Sequence, residues 1–229
     1  YIIKTDQIKA SEVTKDDQWA LKAIGAAEAW AKTKGKGVTV GIVDTGIDFY
    51  HPALAPSLHI NLAEDINHNG TYEPWPSAET RNGVSGDFDG IDNDGNGFSD
   101  DVIGYDFVDQ YAFNFGDYSS PDPIPLDENG HGTAVGGIIA AREVNGKGTI
   151  GLAPESKLLI ARSFDLNGEG ESSNIAAGIV YCAIAGAKVI NCSFGEETES
   201  KIVHDAVKFA RSMGCLVVCS AGNNGYDLP

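Results

Sequence analysis

Apolar and polar positions change their rhythm several times along the chain. From Lys15 to Ala31, Trp19, Ile24, Ala27 and Trp30 recur at roughly helical spacing, which predicts a helix closed by Gly35 and Gly37. The run from Val38 to Asp44 is short, β-branched and apolar, so it reads as a buried strand. From about 58 to 125 the pattern fades into a long polar, Asp- and Gly-rich segment. Loops of that length are uncommon in a compact domain unless functional or clamped.

Regular alternation resumes beyond it. Lys157 to Ser163 predicts a strand. Ser172 or Ser173 is expected to cap a helix carrying Ile175, Ala176, Ile179, Val180 and Ala183, which Gly186 stops. A strand from Lys188 to Ser193 and an acidic loop from Gly195 to Ser200 come next. A helix follows with Ile202, Val203, Ala206, Val207, Ala210 and Met213 on one stripe, closed by Gly214. Leu216 to Ser220 predicts a last strand, ending in Ala221-Gly222-Asn223-Asn224-Gly225. Strand–helix alternation of this kind implies an α/β fold, a parallel central sheet with helices on both faces. Residues 1–14 show no such order and are expected to be an N-terminal extension; 15–229 form the domain.

Composition narrows the function. A 42% hydrophobic content supports a sizeable core, and a net charge of -17 argues against nucleic acid, because few cations are available to replace phosphate counterions. No apolar run reaches membrane-spanning length, and the first residues lack a signal-peptide pattern. Cys182, Cys192, Cys215 and Cys219 form no C-x-x-C pair and have apolar neighbours. They read as buried structural thiols, with one disulfide as the alternative.

Three polar residues stand at element ends, each placed for chemistry. Asp44 closes the first strand, at the edge of an α/β sheet where ligands collect. His131 lies in Asn129-Gly130-His131-Gly132-Thr133-Ala134-Val135, followed by a Gly- and Ala-rich run that suits a closely packed helix. Asn223 follows the last strand. The acidic segment adds a second chemistry. Asp92-Asn93-Asp94-Gly95-Asn96-Gly97-Phe98-Ser99-Asp100-Asp101 alternates oxygen donors around glycines as the start of an EF-hand loop does, although Ile103 occupies the twelfth position. Asp87 and Asp89 are expected to complete a calcium shell with Asp92, Asp94, Asn96, Phe98, Asp100 and Asp101. Asp65, Asn67, Asn69 and Glu73 form a weaker second set. The plain alternative for both is a solvated acidic turn.

Val43-Asp44-Thr45-Gly46, Asn129-Gly130-His131-Gly132-Thr133 and Ser220-Ala221-Gly222-Asn223, in this order, resemble the subtilisin-like serine proteases, or subtilases. Asn191-Cys192-Ser193-Phe194-Gly195 is similar to the substrate-binding strand of that family. The resemblance runs from about residue 15 to the end. It implies His131 as general base, Asp44 as its orienting carboxylate and Asn223 as oxyanion donor. Peptide would lie along Ser193, Phe194 and Gly195 and along Gly168 and Gly170, with Ser220, Ala221 and Gly222 as the wall of an open pocket. The family's nucleophilic serine would lie beyond Pro229, since Ser193 and Ser220 match binding positions. The expectation is therefore a serine endopeptidase, inactive as residues 1–229 alone and completed by a C-terminal remainder. A catalytically inactive binding module is the alternative. Structural calcium, one or two ions, and a secreted, cell-surface or periplasmic location are implied as well. Ala134 replaces the usual second His, and Ala53 stands where a calcium-ligating Asp is often found. Glu196, Glu197 and Glu199 suggest a preference for basic peptide residues.

Overall fold

The computed structural model describes residues 18–108, 121–195 and 199–223. The expected extension over 1–14, Glu196, Glu197, Asn224 and Gly225 lie outside the described residues. Five strands form a parallel sheet: β1 (Thr39–Asp44), β4 (Gly104–Asp106), β5 (Lys157–Arg162), β6 (Val189–Cys192) and β7 (Leu216–Cys219). Their order across the sheet is β4-β5-β1-β6-β7. β1 is central and pairs with β5 from Thr39↔Lys157 to Asp44↔Arg162, and with β6 from Val40↔Val189 to Ile42↔Asn191.

Alternate residues of these strands feed two cores, as a sheet covered on both faces requires. Val43, Leu159, Ala161 and Ile190 pack under α4 (Ser172–Ile184) and α5 (Lys201–Ser212). Val40, Ile42, Leu158 and Ile160 face Ala140 of α3 (His131–Ala140), with Leu54, Leu58, Val102 and Ile103. The fold is thus the expected α/β type, with helices on both faces. Gly41 shows how close the layers lie. A Cβ there would sit 2.7 Å from Cys182 Sγ, so only glycine lets α4 rest on β1.

Several local expectations are corrected. The helix expected over 15–31 is two short ones, α1 (Trp19–Ala23) and α2 (Ala26–Trp30), because Gly25 turns left-handed at φ 69°. Trp19 and Ile24 are exposed rather than on a buried stripe; Gln18 instead anchors this segment by exchanging two hydrogen bonds with the Ile150 backbone. Neither Ser172 nor Ser173 caps α4, whose N-cap position is Glu171. On α5 the inward residues are Val203, Ala206, Val207 and Ala210, while Ile202 and Met213 face outward. The polar segment is less irregular than its pattern suggests. It contains a hairpin of β2 (Thr80–Arg81) and β3 (Val84–Ser85), turned at Asn82-Gly83 with both φ values positive, and it contributes β4 to the sheet. All four cysteines are free thiols; Cys182, Cys192 and Cys215 are buried, but Cys219 is exposed on the edge strand β7.

A buried ion cluster ties the segment to the sheet. Arg162, wholly buried at the end of β5, donates to Asp106 of β4 at 2.8 Å and to Glu128 at 3.0 Å. Two carboxylates share one guanidinium, and burial pushes the Asp106 carboxyl up to about 7 against the pull of Arg162. Between its ordinary value of 3.8 and about 7, the folded chain keeps a proton that the unfolded chain releases. This contribution is complete below the lower value and is lost as pH rises through the upper one. Urea unfolding at pH 5 and pH 8 should show a larger loss of stability on raising pH in the natural protein than in Asp106→Asn. Equal losses would contradict the shift.

Candidate active site

The carboxyl ends of β1, β5, β6 and β7 meet at one edge of the sheet. Asp44 closes β1 with its side chain almost wholly buried. Its Oδ1 accepts a hydrogen bond from Thr45 N at 2.8 Å and lies 2.7 Å from Nδ1 of His131. A carboxylate at that distance favours the neutral tautomer with its proton on Nδ1, in which Nε2 is the acceptor. His131 begins α3, and its side chain is half exposed toward a cleft of about 380 Å³. The helix reaches the strand because Gly132 has no side chain: a Cβ there would lie 2.2 Å from Gly46 O. Asp44 Oδ2 is buried and has no partner among the described residues.

Asp44, His131, Gly168, Ser193, Phe194 and Gly195 all line this cleft, so most of the expected substrate-strand residues are brought together with the pair. Asn191 Nδ2 donates to Ser193 Oγ at 2.9 Å, fixing the serine beside the strand end. Ser220 donates to Phe194 O at 2.8 Å, which joins the end of β7 to the same segment. Gly170 lies under the Phe164 ring, where a Cβ would come within 2.6 Å of it. Ala221, Gly222 and Asn223 are exposed beyond β7 and do not line the cleft. Sequence reasoning passed over Phe164 and Asn167, which do line it. The rings of Phe164 and Phe194 lie 4.9 Å apart and form its apolar wall. The remaining histidines stand apart from the cleft: His51 and His204 are exposed, and His59 is held below its ordinary value by burial, with Lys157 adding to the effect.

The acidic segment sorts its carboxylates differently from expectation. Asp92 accepts from Gly95 N at 2.7 Å and Gly97 N at 2.7 Å, Asp94 accepts from Asn96 N at 2.9 Å, and Asn96 Oδ1 accepts from Phe98 N at 2.8 Å. These successive turns gather Asp92 and Asp94 beside Glu64, a residue the spacing did not suggest. One oxygen of each of the three lies within 4.8 Å of the others. Glu64 is fully buried and receives Asn93 N and Asp100 N. Asp87 does not join this group. It accepts from Asn67 Nδ2 at 2.8 Å and Glu73 N at 2.6 Å, which places it with Asp65, Asn67, Asn69 and Glu73. Asp89 and Asp100 are tied to each other, since Asp100 accepts from Asp89 N. Asp101 is bound by Tyr181, Asn96 and Asn61. The Phe98 side chain packs against Tyr105, Phe107 and Tyr181. Burial raises Asp87 and Asp101 to about 7 each.

The family model described as "Subtilase family" matches residues 35–229, covering the Asp44, His131 and Asn223 segments alike. The chain is a subtilase. It is 35% identical over 198 residues to a thermophilic serine proteinase of Bacillus sp. (strain AK1), covering 86% of this chain and 36% of that protein. It is 31% identical over 212 residues to thermitase of Thermoactinomyces vulgaris, covering 93% and 57% respectively. The solved structure of sphericase superposes with a TM-score of 0.57 at 25% identity, over 85% of this chain and 49% of that one. This subtilase chain thus spans about a third to somewhat over half the length of these relatives.

Proposed function

We propose that this subtilase chain carries the Asp–His pair and oxyanion donor of a serine endopeptidase whose nucleophilic serine lies outside residues 1–229. The observation that carries the reading is the 2.7 Å contact between Asp44 and His131 Nδ1, made at the rim of a cleft that also holds Ser193, Phe194 and Gly195. His131 Nε2 takes the proton of the serine hydroxyl as its oxygen attacks the peptide carbonyl. Asp44 keeps the tautomer in place and stabilises the imidazolium that forms. Asn223 donates its amide N–H to the oxyanion of the tetrahedral intermediate. The imidazolium then protonates the departing amine, and water repeats the sequence to release the acyl group. Ser193–Gly195 and Gly168–Gly170 bind the peptide as an added strand, so affinity comes mostly from main-chain hydrogen bonds.

Structural calcium fits the acidic segment. Glu64, Asp92 and Asp94 bring three carboxylates together, with no ion pair among the described residues to offset them. A hard divalent cation would be held by these oxygens, with the Asp65–Glu73 turn and Asp87 as a second set, and would neutralise charge that otherwise opposes folding. A secreted or cell-surface location accords with such sites.

Two experiments test these readings. In the complete protease, Asp44→Asn should lower kcat about 10⁴-fold by favouring the wrong tautomer. Asn223→Ala should lower it about 100- to 1000-fold, the loss known for such a donor in a subtilisin. Peptide hydrolysis that is unchanged in either variant would refute the role concerned. For calcium, thermal unfolding with a chelator should fall below that with excess calcium; at 100 times Kd the gain is about 2.7 kcal/mol. Glu64→Gln should shrink the difference, and identical melting curves for the natural protein would remove the calcium reading.

A further inference from the structure

A second acidic residue, Asp127, stands outside the cleft and is bonded to the neighbours of both Asp44 and His131. Asp127 lies four residues before His131. Its Oδ1 accepts from the Thr45 hydroxyl at 2.8 Å, Asn129 N at 3.0 Å and Gly130 N at 2.8 Å. Its Oδ2 accepts from Thr133 N at 2.8 Å and the Thr133 hydroxyl at 2.5 Å. Both hydroxyls are used twice. That of Thr45 accepts from Gly132 N at 2.9 Å, and that of Thr133 accepts from Asp48 N at 2.9 Å.

The first N–H groups of a helix have no acceptor within it. The N-cap of α3 is Gly130, in the left-handed conformation and without a side chain to offer. Asp127 fills that vacancy from outside the helix, and the same carboxylate reaches back to the strand end through Thr45. Gly132 adjoins His131 and Thr45 adjoins Asp44, so the neighbours of the two reacting side chains are joined by one hydroxyl held by Asp127. Burial acts to raise this carboxyl, but the bonds from Thr133, Gly130 and Thr45 outweigh it and hold the group below its ordinary value. Its partners are all neutral donors, so a charged carboxylate is satisfied here without any cation.

We propose that Asp127 is the positioning residue that fixes the start of α3 against the end of β1, and so sets the Asp44–His131 geometry. It touches neither peptide nor reacting atoms. The proposal rests on the reading of Asp44 and His131 as the working pair, and a displacement of about 1 Å in such a pair costs about 100-fold in rate.

The test uses the complete protease with Asp127→Ala and Thr45→Val. The second variant removes the bridge, including its acceptor for Gly132 N, and leaves the Asp127 carboxylate in place as acceptor for Gly130 N and Thr133 N. Two readouts are taken: kcat and KM on a peptide substrate, and the ¹⁵N NMR signature of His131, which reports whether Nδ1 carries the proton bound to Asp44. Asp127→Ala is expected to lower kcat about 100-fold with KM little changed. Thr45→Val is expected to lower kcat in the same sense, and both variants to disturb the Nδ1–H signal. A Thr45→Val enzyme with natural kcat and an unaltered His131 signal overturns the proposal and leaves Asp127 a helix cap alone, even if Asp127→Ala fails to fold. If the natural protein hydrolyses no peptide, the protease reading fails, and the His131 signal alone then decides whether Asp127 positions the pair.

Discussion

The contact between Asp44 and His131 depends on how closely α3 can approach β1. The imidazole of His131 reaches Asp44 only because two glycines on the inner face of the helix, Gly132 and Gly136, present no side chain to the sheet. A Cβ on Gly132 would collide with Gly46 O, and one on Gly136 would press on the Ile47 side chain at 3.0 Å. The interior is packed densely enough that neither helix nor strand can give way cheaply. Close approach then allows the polar contacts: Gly132 N to Thr45, Asp48 N to Thr133, and His131 Nδ1 to Asp44. The dyad follows from packing first and hydrogen bonding second.

The charge of the chain follows a related logic. With 33 acidic residues against 16 basic ones, the chain satisfies its carboxylates in three ways. Asp106 shares the buried Arg162 with Glu128. Asp127, Asp92 and Glu64 take backbone N–H donors from turns folded around them. Asp101 relies on Tyr181 and two asparagines and is driven upward in pKa. Among its described residues, the segment joining β1 to α3 is therefore held by polar contacts where apolar periodicity is weak. It ends in the stretch 127–129, where Glu128 binds Arg162 and Asn129 Nδ2 donates to Leu166 O, directly before the catalytic candidate His131.

Much of this was legible from residue order. β1, β5, β6, α4 and α5 fall close to the spans that apolar periodicity indicates, because each buries part of its surface in the core, and β7 also falls close to its span although it lies exposed at the sheet edge. What escaped has identifiable causes. β4 is only three residues long, and its neighbours Val102 and Ile103 are buried by contacts with distant β5, which no local pattern reveals. The hairpin at Asn82-Gly83 carried a turn signal that the surrounding polarity obscured. Glu64 meets Asp92 and Asp94 only through chain reversal, so regular spacing within 92–101 could not point to it; Asp87 was drawn to the wrong group for the same reason. Asp44 and His131 were legible because their motifs describe a local geometry. Asp127 was not, since its five donors come from Thr45, just past β1, and from Asn129, Gly130 and Thr133 around the start of α3.

The most direct measurement is reaction of the full-length protein with a serine-directed fluorophosphonate, read by intact mass and peptide mapping in the natural protein and in His131→Ala. A single adduct on a serine outside residues 1–229, absent from the His131→Ala protein, is the result predicted if Asp44 and His131 activate a nucleophile supplied by another part of the molecule. No adduct on the natural protein, an adduct on Ser193 or Ser220, or one that forms equally well without His131 would contradict it.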